Sequence, residues 1–384
     1  MNIIFDDNSC HKSLAPLTLT RPVADVRLGI ETIRESWMRY IGEQHTIDRV
    51  GFITEDYLQV KYPPIKELGL TLMGNVKPTP LVADLVNKLQ EGEALYINDI
   101  KIAHFNTEST RVDYKMDEDE LIVIHYPWDL FQQNGKAIVC DFDALTADRS
   151  TQQLSSSNQL IGNGNIFVEP GAKIECAILN TENGPIYIGK NAEIMEGSII
   201  RGPFSLGDHA VLKMGAKIYG DTTIGSHCKV GGEVTNSIFF AYSNKGHDGF
   251  VGNSIIGEWC NLGADTNTSN LKNNYSPVRL YSYETQDMEE TGVTFFGVMM
   301  GDHVKTGINT MLNTATSIGV CSNVFGGGFP SKFIPSFSWG AVHSNDLFKL
   351  EKAFEVADNM MKRRNTELSQ ADRKILTYLF QELA

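Results

Sequence analysis

Paired cysteines, positive charge and long apolar runs are all scarce in this sequence. The six cysteines are scattered without metal-ligand spacing, which excludes a disulfide framework and predicts reduced thiols. The formal net charge of −14 argues against nucleic acid or an anionic membrane as the main partner. Any phosphate-bearing ligand must therefore meet a local cluster of Lys and Arg. The acidic start and the lack of an apolar run near the roughly 18 residues of a membrane span predict a soluble, cytoplasmic protein.

What the sequence does have is a six-residue repeat. A branched aliphatic residue recurs at every sixth position from Ile188 to Val230. A six-residue step turns about 600° on an α-helix, so these side chains would scatter around the helix. On β-strands six is a multiple of the two-residue alternation, so all can point the same way if the chain turns a corner once per hexapeptide. The members are Ile188, Ile194, Ile200, Leu206, Leu212, Ile218, Ile224 and Val230.

A second set of positions follows the same period. Four residues after each aliphatic stands a residue that is small in every case but Phe204. Small side chains fit beside a corner, and the glycines directly after four of the aliphatics let the backbone bend. The pattern is typical of a parallel β-helix, in which each coil buries its aliphatics against the next. A buried β-sandwich with the same spacing is the alternative. The small residues are Ala192, Ser198, Ala210, Ala216, Thr222 and Cys228.

The first 150 residues lack this repeat. They alternate short strands and helices, which predicts an α/β domain with a mostly parallel sheet. The polar stretch Thr146 to Asn158 marks its end. We therefore predict an α/β domain over 1–150, a β-helix over 155–335 and C-terminal helices over 345–384. The predicted N-terminal elements are strands at Ile3–Phe5, Arg49–Ile53, Ala94–Asn98 and Leu121–His125, and helices at Val26–Tyr40 and Thr79–Gln90.

The course of the predicted β-helix is uneven. Its period slips after Val230, at a polar insertion over 242–249, and it ends in the glycine run 326–330. A longer insertion, 272–294, is expected to project toward a groove or a neighbouring subunit, because departures from a solenoid repeat become loops. Two amphipathic helices after Asp346 are expected to cover the open end of the solenoid.

Several motifs around the polar insertion resemble those of the left-handed β-helix acetyltransferases. They are Lys245-Gly246-His247, Val251 to Gly257, Asn261 to Ala264, Asn270-Leu271-Lys272 and Met300 to Asn309. They are similar to the acetyltransferase half of the bifunctional N-acetylglucosamine-1-phosphate uridylyltransferase / glucosamine-1-phosphate N-acetyltransferase family, including its archaeal relatives. With the N-terminal domain, the chain resembles a bacterial subfamily of it. The resemblance implies a left-handed coil, a homotrimer and acetyl-CoA as the acetyl donor.

The resemblance also implies roles for single residues. Acetyl transfer to an amine needs a base that titrates near neutral pH, which suits histidine, and His247 stands at the position of the family's catalytic base. The alternatives are that His247 is a plain surface residue, that Asn270 is a turn residue, and that Lys213, Lys272 and Arg279 are solvated surface charges. The implied substrate contacts are Asn270, Asn261, Lys213, Lys272 and Arg279. The implied acetyl-CoA lining is Ala264, Ile308 and Gly326, with Lys332 near the CoA phosphates.

The stretch Leu14 to Pro22 resembles the loop after the first strand of the sugar-phosphate nucleotidyltransferases. That resemblance implies that Arg21 and Arg27 contact a nucleoside triphosphate and that Asp99 holds Mg²⁺. The glycine-rich part of the loop is absent, since Phe5 to Cys10 stand in its place. Backbone N–H groups then approach phosphates less closely. The structural alternative is that both arginines form surface ion pairs and that Asp99 is a turn residue.

Four positions depart from the acetyltransferase pattern. Thr235 replaces a phosphate-binding Lys, Phe250 and Leu271 each replace a Tyr, and Asp265 replaces a Gly. A changed amino sugar phosphate or a 4-aminosugar nucleotide is compatible with them. The sequence thus predicts an N-acetyltransferase of an amino sugar phosphate, linked to nucleotide-sugar synthesis. The rival hypotheses are a uridylyl- or thymidylyltransferase with the β-helix as a scaffold, and a non-catalytic sugar-nucleotide-binding platform.

Overall fold

The computed structural model describes residues 1–340 and 346–383. They form an N-terminal α/β domain, a long β-helix and a C-terminal pair of helices, so the predicted fold class is confirmed. The predicted start of the C-terminal domain at residue 345 lies outside the described residues, as does residue 384. The helices within the described ranges are all too short or too polar to cross a membrane.

The N-terminal domain is built on a six-stranded sheet in the order β2-β1-β3-β6-β5-β7. Strand β6 runs antiparallel to both of its neighbours, and the remaining pairs are parallel. The predicted, mostly parallel sheet is therefore confirmed. A small antiparallel pair, β4 and β8, lies beside it. The strands are β1 Asn2–Asp6, β2 Arg49–Ile53, β3 Leu70–Met73, β4 Val76–Lys77, β5 Glu93–Ile97, β6 Ile100–Phe105, β7 Thr110–Tyr114 and β8 Ile122–Val123.

Three helices belong to this domain: α1 Ile33–Gly42, α2 Pro80–Asn87 and α3 Pro127–Thr146. The expected helix start at Val26 is wrong, because Gly29 has a positive φ of 77° and Thr32 caps α1 in a capping box. Short 3₁₀ turns lie at Val23–Asp25, Asp56–Leu58 and Glu118–Glu120.

Helix α3 was not predicted, and it joins the two large domains. The Asn134 side-chain amide donates hydrogen bonds to the Asp221 carbonyl oxygen at 2.8 Å and to Thr223 Oγ1 at 3.1 Å. Gly135 lets the helix approach closely, since an added Cβ would lie 2.0 Å from Asp221 Oδ1. The N-terminal domain is therefore packed directly against the side of the β-helix.

The β-helix has three faces, each a parallel sheet. Face 1 contains β10 Ile166–Val168, β13 Ile186–Ile188, β16 Phe204–Leu206, β19 Thr222–Ile224, β22 Ile238–Phe239, β25 Ile255–Ile256, β29 Val298–Met300, β32 Thr316–Ile318 and β34 Phe333–Ile334. Face 2 contains β11 Lys173–Ile174, β14 Glu193–Ile194, β17 Val211–Leu212, β20 Lys229–Val230 and β23 Asn244–Lys245, then β30 Lys305–Thr306, β33 Asn323–Val324 and β35 Trp339–Gly340. Bridges through Asn261 join its two parts.

Face 3 continues from face 2 around the next edge. It contains β9 Gln159–Ile161, β12 Ile178–Asn180, β15 Ile199–Arg201, β18 Lys217–Ile218, β21 Glu233–Thr235 and β24 Phe250–Gly252, followed by β26 Asn267–Thr268 and β31 Met311–Leu312. The chain thus passes from face 1 to face 2 to face 3 in each coil. The coil extends past its predicted end, because β34 and β35 follow the glycine run.

The interior of the β-helix is the predicted aliphatic stack. All eight aliphatics of the repeat are at most 2 % exposed and belong to one cluster. Ile188, Leu206 and Ile224 lie in register on neighbouring strands of face 1. Burying such a side chain contributes about 1.5–3 kcal/mol. The repeat is therefore the source of the fold's core, as its period predicts.

The long insertion and the C-terminal helices both fold back onto the molecule. The insertion forms a hairpin, β27 Arg279–Ser282 and β28 Asp287–Glu290, and Tyr281 stacks on Phe333 of face 1. Val278 and Leu280 are buried in a cluster with the N-terminal loop, so this part of the insertion packs against its own chain. A contact with a neighbouring subunit stays a prediction. Helices α4 Leu350–Lys362 and α5 Gln370–Leu383 pack along the edge between faces 1 and 2.

Candidate functional site

A groove of about 740 Å³ runs along face 2 of the solenoid. Its floor is face 2, one side is the edge between faces 2 and 3, and the other side is helix α4. The residues from the solenoid are Lys213, Lys229, Tyr242, Asn244, Gly246, His247, Trp259, Asn261, Leu262, Gly263, Ala264, Lys305 and Ile308, and those from the C-terminal part are Asn359, Met360, Arg363 and Arg364.

A buried lysine underlies the segment that carries His247. Lys245 occupies the interior position that Val230 and Leu262 fill on neighbouring coils, and it is 1 % exposed. Its Nζ donates hydrogen bonds to the Gly231 carbonyl oxygen at 3.0 Å and to the His247 carbonyl oxygen at 2.7 Å. Burial lowers the Lys245 pKa to about 8. The interior lysine therefore fixes the backbone of the corner from inside the coil.

This arrangement depends on glycine at the corner below. Gly232 has a positive φ of 72°, and a Cβ there would lie 2.8 Å from Lys245 Nζ. The two hydrogen bonds hold the chain where it turns from face 2 to face 3, so the His247 side chain is exposed and lines the groove. A ligand in the groove can therefore contact the imidazole directly.

The groove is strongly cationic. Five Lys and Arg side chains line it, and within residues 1–340 and 346–383 no Asp or Glu is part of the lining. Burial lowers the Lys229 pKa, and the charges of Arg364, Lys213 and Arg363 lower it further. In a chain whose net charge is −14, such a site selects anions. The cations are Lys213, Lys229, Lys305, Arg363 and Arg364.

A ladder of rings forms the edge between faces 1 and 2. His209, His227, Tyr242, Trp259 and His303 stack on successive coils with centroid separations of 4.9, 4.8, 4.2 and 6.4 Å. Each has a φ between 57° and 62°, because each turns the same corner. Two of the ladder's rings, Tyr242 and Trp259, line the groove, so the ladder also shapes its wall.

The structure divides the predicted acetyltransferase residues into two groups. His247, Lys213, Asn261, Ala264 and Ile308 line the groove together, and Ile308 is 73 % exposed. Gly326 lies on the same edge, two coils beyond Ala264, and is not part of the lining.

The second group lies at the opposite edge, between faces 3 and 1. Asn270 Nδ2 donates to Asn253 Oδ1 at 2.8 Å, and Lys332 Nζ donates to Thr314 Oγ1 at 3.3 Å. Lys272 and Arg279 lie close enough to Lys332 to lower its pKa, which burial lowers first. None of these four residues lines the groove.

The placement of Arg21 favours the structural alternative. This side chain is 7 % exposed, forms an ion pair with Asp302 and lies 3.2 Å from Glu258 Oε1. Both carboxylates belong to the solenoid. Arg21 is therefore an interdomain ion-pair residue and not a surface one. It also lines, together with Arg27, a second cavity of about 540 Å³, so its contact with a nucleotide stays a prediction.

The other two N-terminal candidates are also held by neighbours. Arg27 donates to the Ile30 carbonyl oxygen at 2.5 Å and lies 3.9 Å from Glu35 Oε2. Asp99 lies in the exposed turn between β5 and β6, paired with Arg111 at 2.7 Å. Residues 1–340 and 346–383 contain no group of three His, Cys, Asp or Glu side chains that could hold a metal. Asp99 is paired with two cations, Arg111 and Lys115, and its role in holding Mg²⁺ stays a prediction.

The loop that resembles a nucleotide-binding turn has a packing role. Leu14 and Leu17 are buried in a cluster that includes Ile238 and Met299 of face 1. A loop filled with apolar side chains and pressed against a second domain leaves little backbone for phosphate contacts.

Sequence reasoning missed Lys229, Lys305, Arg363 and Arg364. The run Lys362-Arg363-Arg364 was visible as a charge cluster at the end of an amphipathic helix. Where that helix docks depends on contacts far apart in the chain, which no local pattern reports.

Three comparisons bear on this protein. The sequence model of a family described as sugar nucleotidyl transferase matches residues 2–150. The bifunctional protein GlmU of Methanocaldococcus jannaschii is 39% identical over 87 residues, which are 23% of this chain and 21% of that protein. The same protein of Methanococcus aeolicus is 36% identical over 87 residues, 23% of this chain and 20% of its own length. The match spans about a fifth of each relative, and both relatives are archaeal.

Two solved structures align with parts of the chain. The polySia-specific acetyltransferase NeuO aligns with 17% identity and a TM-score of 0.29, covering 51% of this chain and 87% of NeuO. The Arabidopsis UDP-N-acetylglucosamine acyltransferase aligns with 15% identity and a TM-score of 0.28, covering 60% and 90%. TM-scores this low assign no activity.

Proposed function

We propose that this protein is a cytoplasmic, homotrimeric N-acetyltransferase that uses acetyl-CoA to acetylate an amino sugar phosphate similar to glucosamine-1-phosphate. The product would enter the synthesis of a nucleotide sugar such as UDP-N-acetylglucosamine. One observation carries the proposal: His247 and four other residues of the predicted site, from four separate coils, line one cationic groove. The GlmU relatives and the family match over residues 2–150 agree with it.

The chemistry assigns His247 the role of general base. Acetyl-CoA supplies the acetyl group as a thioester, whose C–S bond breaks as the C–N bond to the sugar amine forms. The imidazole accepts the proton that the amine must lose, and it can return this proton to the departing thiolate. Lys245 holds the backbone on which the imidazole stands.

The cations of the groove would bind the phosphate groups. Lys213, on the coil before that of Lys229, faces the same cavity as His247. Phosphates are best held by several Lys and Arg side chains in a partly desolvated site. The lack of any carboxylate in the lining suits a ligand with more than one negative charge.

The division of the predicted residues supports a trimer. His247 lies on one edge of the solenoid and Asn270 on another, so both can serve one substrate only if a second copy brings its Asn270 edge to this groove. Cyclic symmetry would then create three equivalent sites. Each site would take its base from one subunit and an amide from the next.

A thiol-release assay tests the acetyltransferase. The intact chain is incubated with acetyl-CoA and a panel of amino sugar phosphates, and His247→Ala is compared with His45→Ala, which removes an exposed imidazole from the N-terminal domain. We expect wild-type activity with at least one sugar. His247→Ala should lose about 10²-fold or more of this activity, and His45→Ala should lose none of it. An inert wild type or an equally fast His247→Ala variant contradicts the proposal.

The family match over residues 2–150 favours a second candidate, a sugar-1-phosphate uridylyl- or thymidylyltransferase with the β-helix as a scaffold. Its signature is Mg²⁺-dependent pyrophosphate release from UTP or dTTP that survives His247→Ala. The burial of Arg21 and the pairing of Asp99 count against it.

A further inference from the structure

One end of the groove gathers four cations from two distant parts of the chain. Lys213 and Lys229 come from neighbouring coils of the solenoid, and Arg363 and Arg364 come from the end of α4. None of the four forms an ion pair with a carboxylate among the described residues. Like charges held together without a counterion repel, and a bound anion removes this repulsion.

Burial, and then the repulsion among these cations, lowers the pKa of Lys229. The charges that add to the effect of burial are those of Arg364, Lys213 and Arg363. Glu193 acts in the opposite direction as a weaker influence. The other three cations therefore act together on Lys229, and Glu193 offsets them only in part.

Apolar packing, not charge, brings the two arginines to this place. Ala353, Ala357 and Met361 of α4 are buried in a cluster with Trp259 and Phe337 of the solenoid. Because α4 packs on the solenoid through these apolar residues, the end of the helix lies over the groove. The fold thus holds positive charges together by means of hydrophobic contacts, an arrangement expected of a preorganised binding site.

We propose that Lys213, Lys229, Arg363 and Arg364 form a phosphate-binding subsite, built jointly by the solenoid and by the chain's own C-terminal helix, for a diphosphate or phosphomonoester group of the groove's ligand. Arginine binds such groups with paired N–H donors. The inference rests on the proposed function for the identity of that ligand, since the phosphates can belong to the acetyl donor or to the sugar. The subsite itself requires only a phosphate group.

Binding of inorganic pyrophosphate to the full chain tests the subsite without any turnover. The variant is Arg363→Gln/Arg364→Gln, and the matched control is Lys349→Gln/Lys362→Gln, which removes two exposed positive charges that flank the same helix. We expect titration calorimetry to show binding that weakens with salt, a loss of about tenfold or more in the arginine variant, and less than about twofold in the control.

Two results overturn the subsite. One is equal pyrophosphate affinity in wild type and in the arginine variant, and the other is equal weakening in the control, which would mean bulk charge alone. Circular dichroism and thermal midpoints show whether both variants remain folded. Should the arginine variant be unfolded, Lys229→Gln on the rigid solenoid gives the same test.

Two further arms identify the source of the phosphate. Coenzyme A is compared with pantetheine, which lacks its phosphates, and the amino sugar phosphate with the free amino sugar. If the subsite binds the phosphates of the acetyl donor, the arginine variant should lose affinity for coenzyme A and not for pantetheine. If it binds the phosphate of the sugar, the variant should lose affinity for the amino sugar phosphate and not for the free amino sugar. If the arginine variant loses affinity in neither pair of ligands, the inference is contradicted. Pyrophosphate binding without acetyl transfer would instead refute only the proposed function.

Discussion

The ammonium of Lys245 lies 2.7 Å from the backbone carbonyl oxygen of His247 and is buried inside the coil. The two residues face opposite ways, since the lysine points to the core and the histidine to the groove. This geometry ties the position of an exposed imidazole to a hydrogen bond in the interior.

Lys245→Met tests that connection. Methionine restores an apolar side chain at an interior position but removes both hydrogen bonds, so we expect the corner 246–249 to loosen. The predicted result is a loss of about tenfold in kcat, with faster amide hydrogen exchange in this corner. Leu262→Met, at the same position of the next coil, is the control and should change stability by less than about 1.5 kcal/mol. Unchanged kcat in Lys245→Met would show that the lysine does not position His247.

The lowered Lys245 pKa predicts a dependence of stability on pH. In the folded protein the pKa is about 8, against a usual 10.5, so between these values the unfolded chain binds more protons. The free energy of unfolding should therefore rise with pH across this window, by up to about 3 kcal/mol. Below pH 8 both states are protonated and the cost of burying the charge is fully present. Denaturant titrations at pH 7 and 10 measure the change, which should be smaller in Lys245→Met.

The buried ion pair between Arg21 and Asp302 predicts a large effect on stability. Arg21→Ala leaves the Asp302 carboxylate buried without its partner, which should lower the free energy of unfolding by about 3–5 kcal/mol. The exposed pair of Arg49 and Glu67 gives the control, because Arg49→Ala should cost less than about 1 kcal/mol. Chemical denaturation measures both. Normal stability together with lost nucleotide turnover in Arg21→Ala would instead restore the nucleotide-binding hypothesis.

Mixed oligomers test whether one site is shared between subunits. His247→Ala and Asn270→Ala should each inactivate the homotrimer. Coexpression in equal amounts should restore about a quarter of wild-type activity, because a site is intact when one neighbour supplies His247 and the other supplies Asn270. Tags of different sequence and two-step purification isolate the mixed trimers, in which one site of three is intact and about a third of wild-type activity is expected. The absence of any recovery would place the whole site within one chain.

The solenoid could be read from the sequence because its information is local. Ile188 and the residues at six-residue intervals after it must all be buried, and only a coil of strands places them on one side. The start of α1 was predicted too early. The capping residue Thr32 and Gly29, which has a positive φ, decide where the helix starts. Helix α3 was missed, since polar residues within it, such as Asn134, find their partners only where the helix meets the solenoid.

Within the site, the sequence predicted His247 in a polar insertion over 242–249. The structure corrects this, because 244–245 form a regular strand of the coil with Lys245 in its interior. Lys213, Asn261, Ala264 and Ile308 were assigned to the same site by the resemblance to the β-helix acetyltransferases, and the structure places them in one groove. Only the tertiary structure decided that Arg363 and Arg364 reach the same groove and that Arg21 forms a buried ion pair with Asp302. Those outcomes depend on how separate elements dock, through apolar contacts and charges hundreds of residues apart, and no repeat within the chain encodes them.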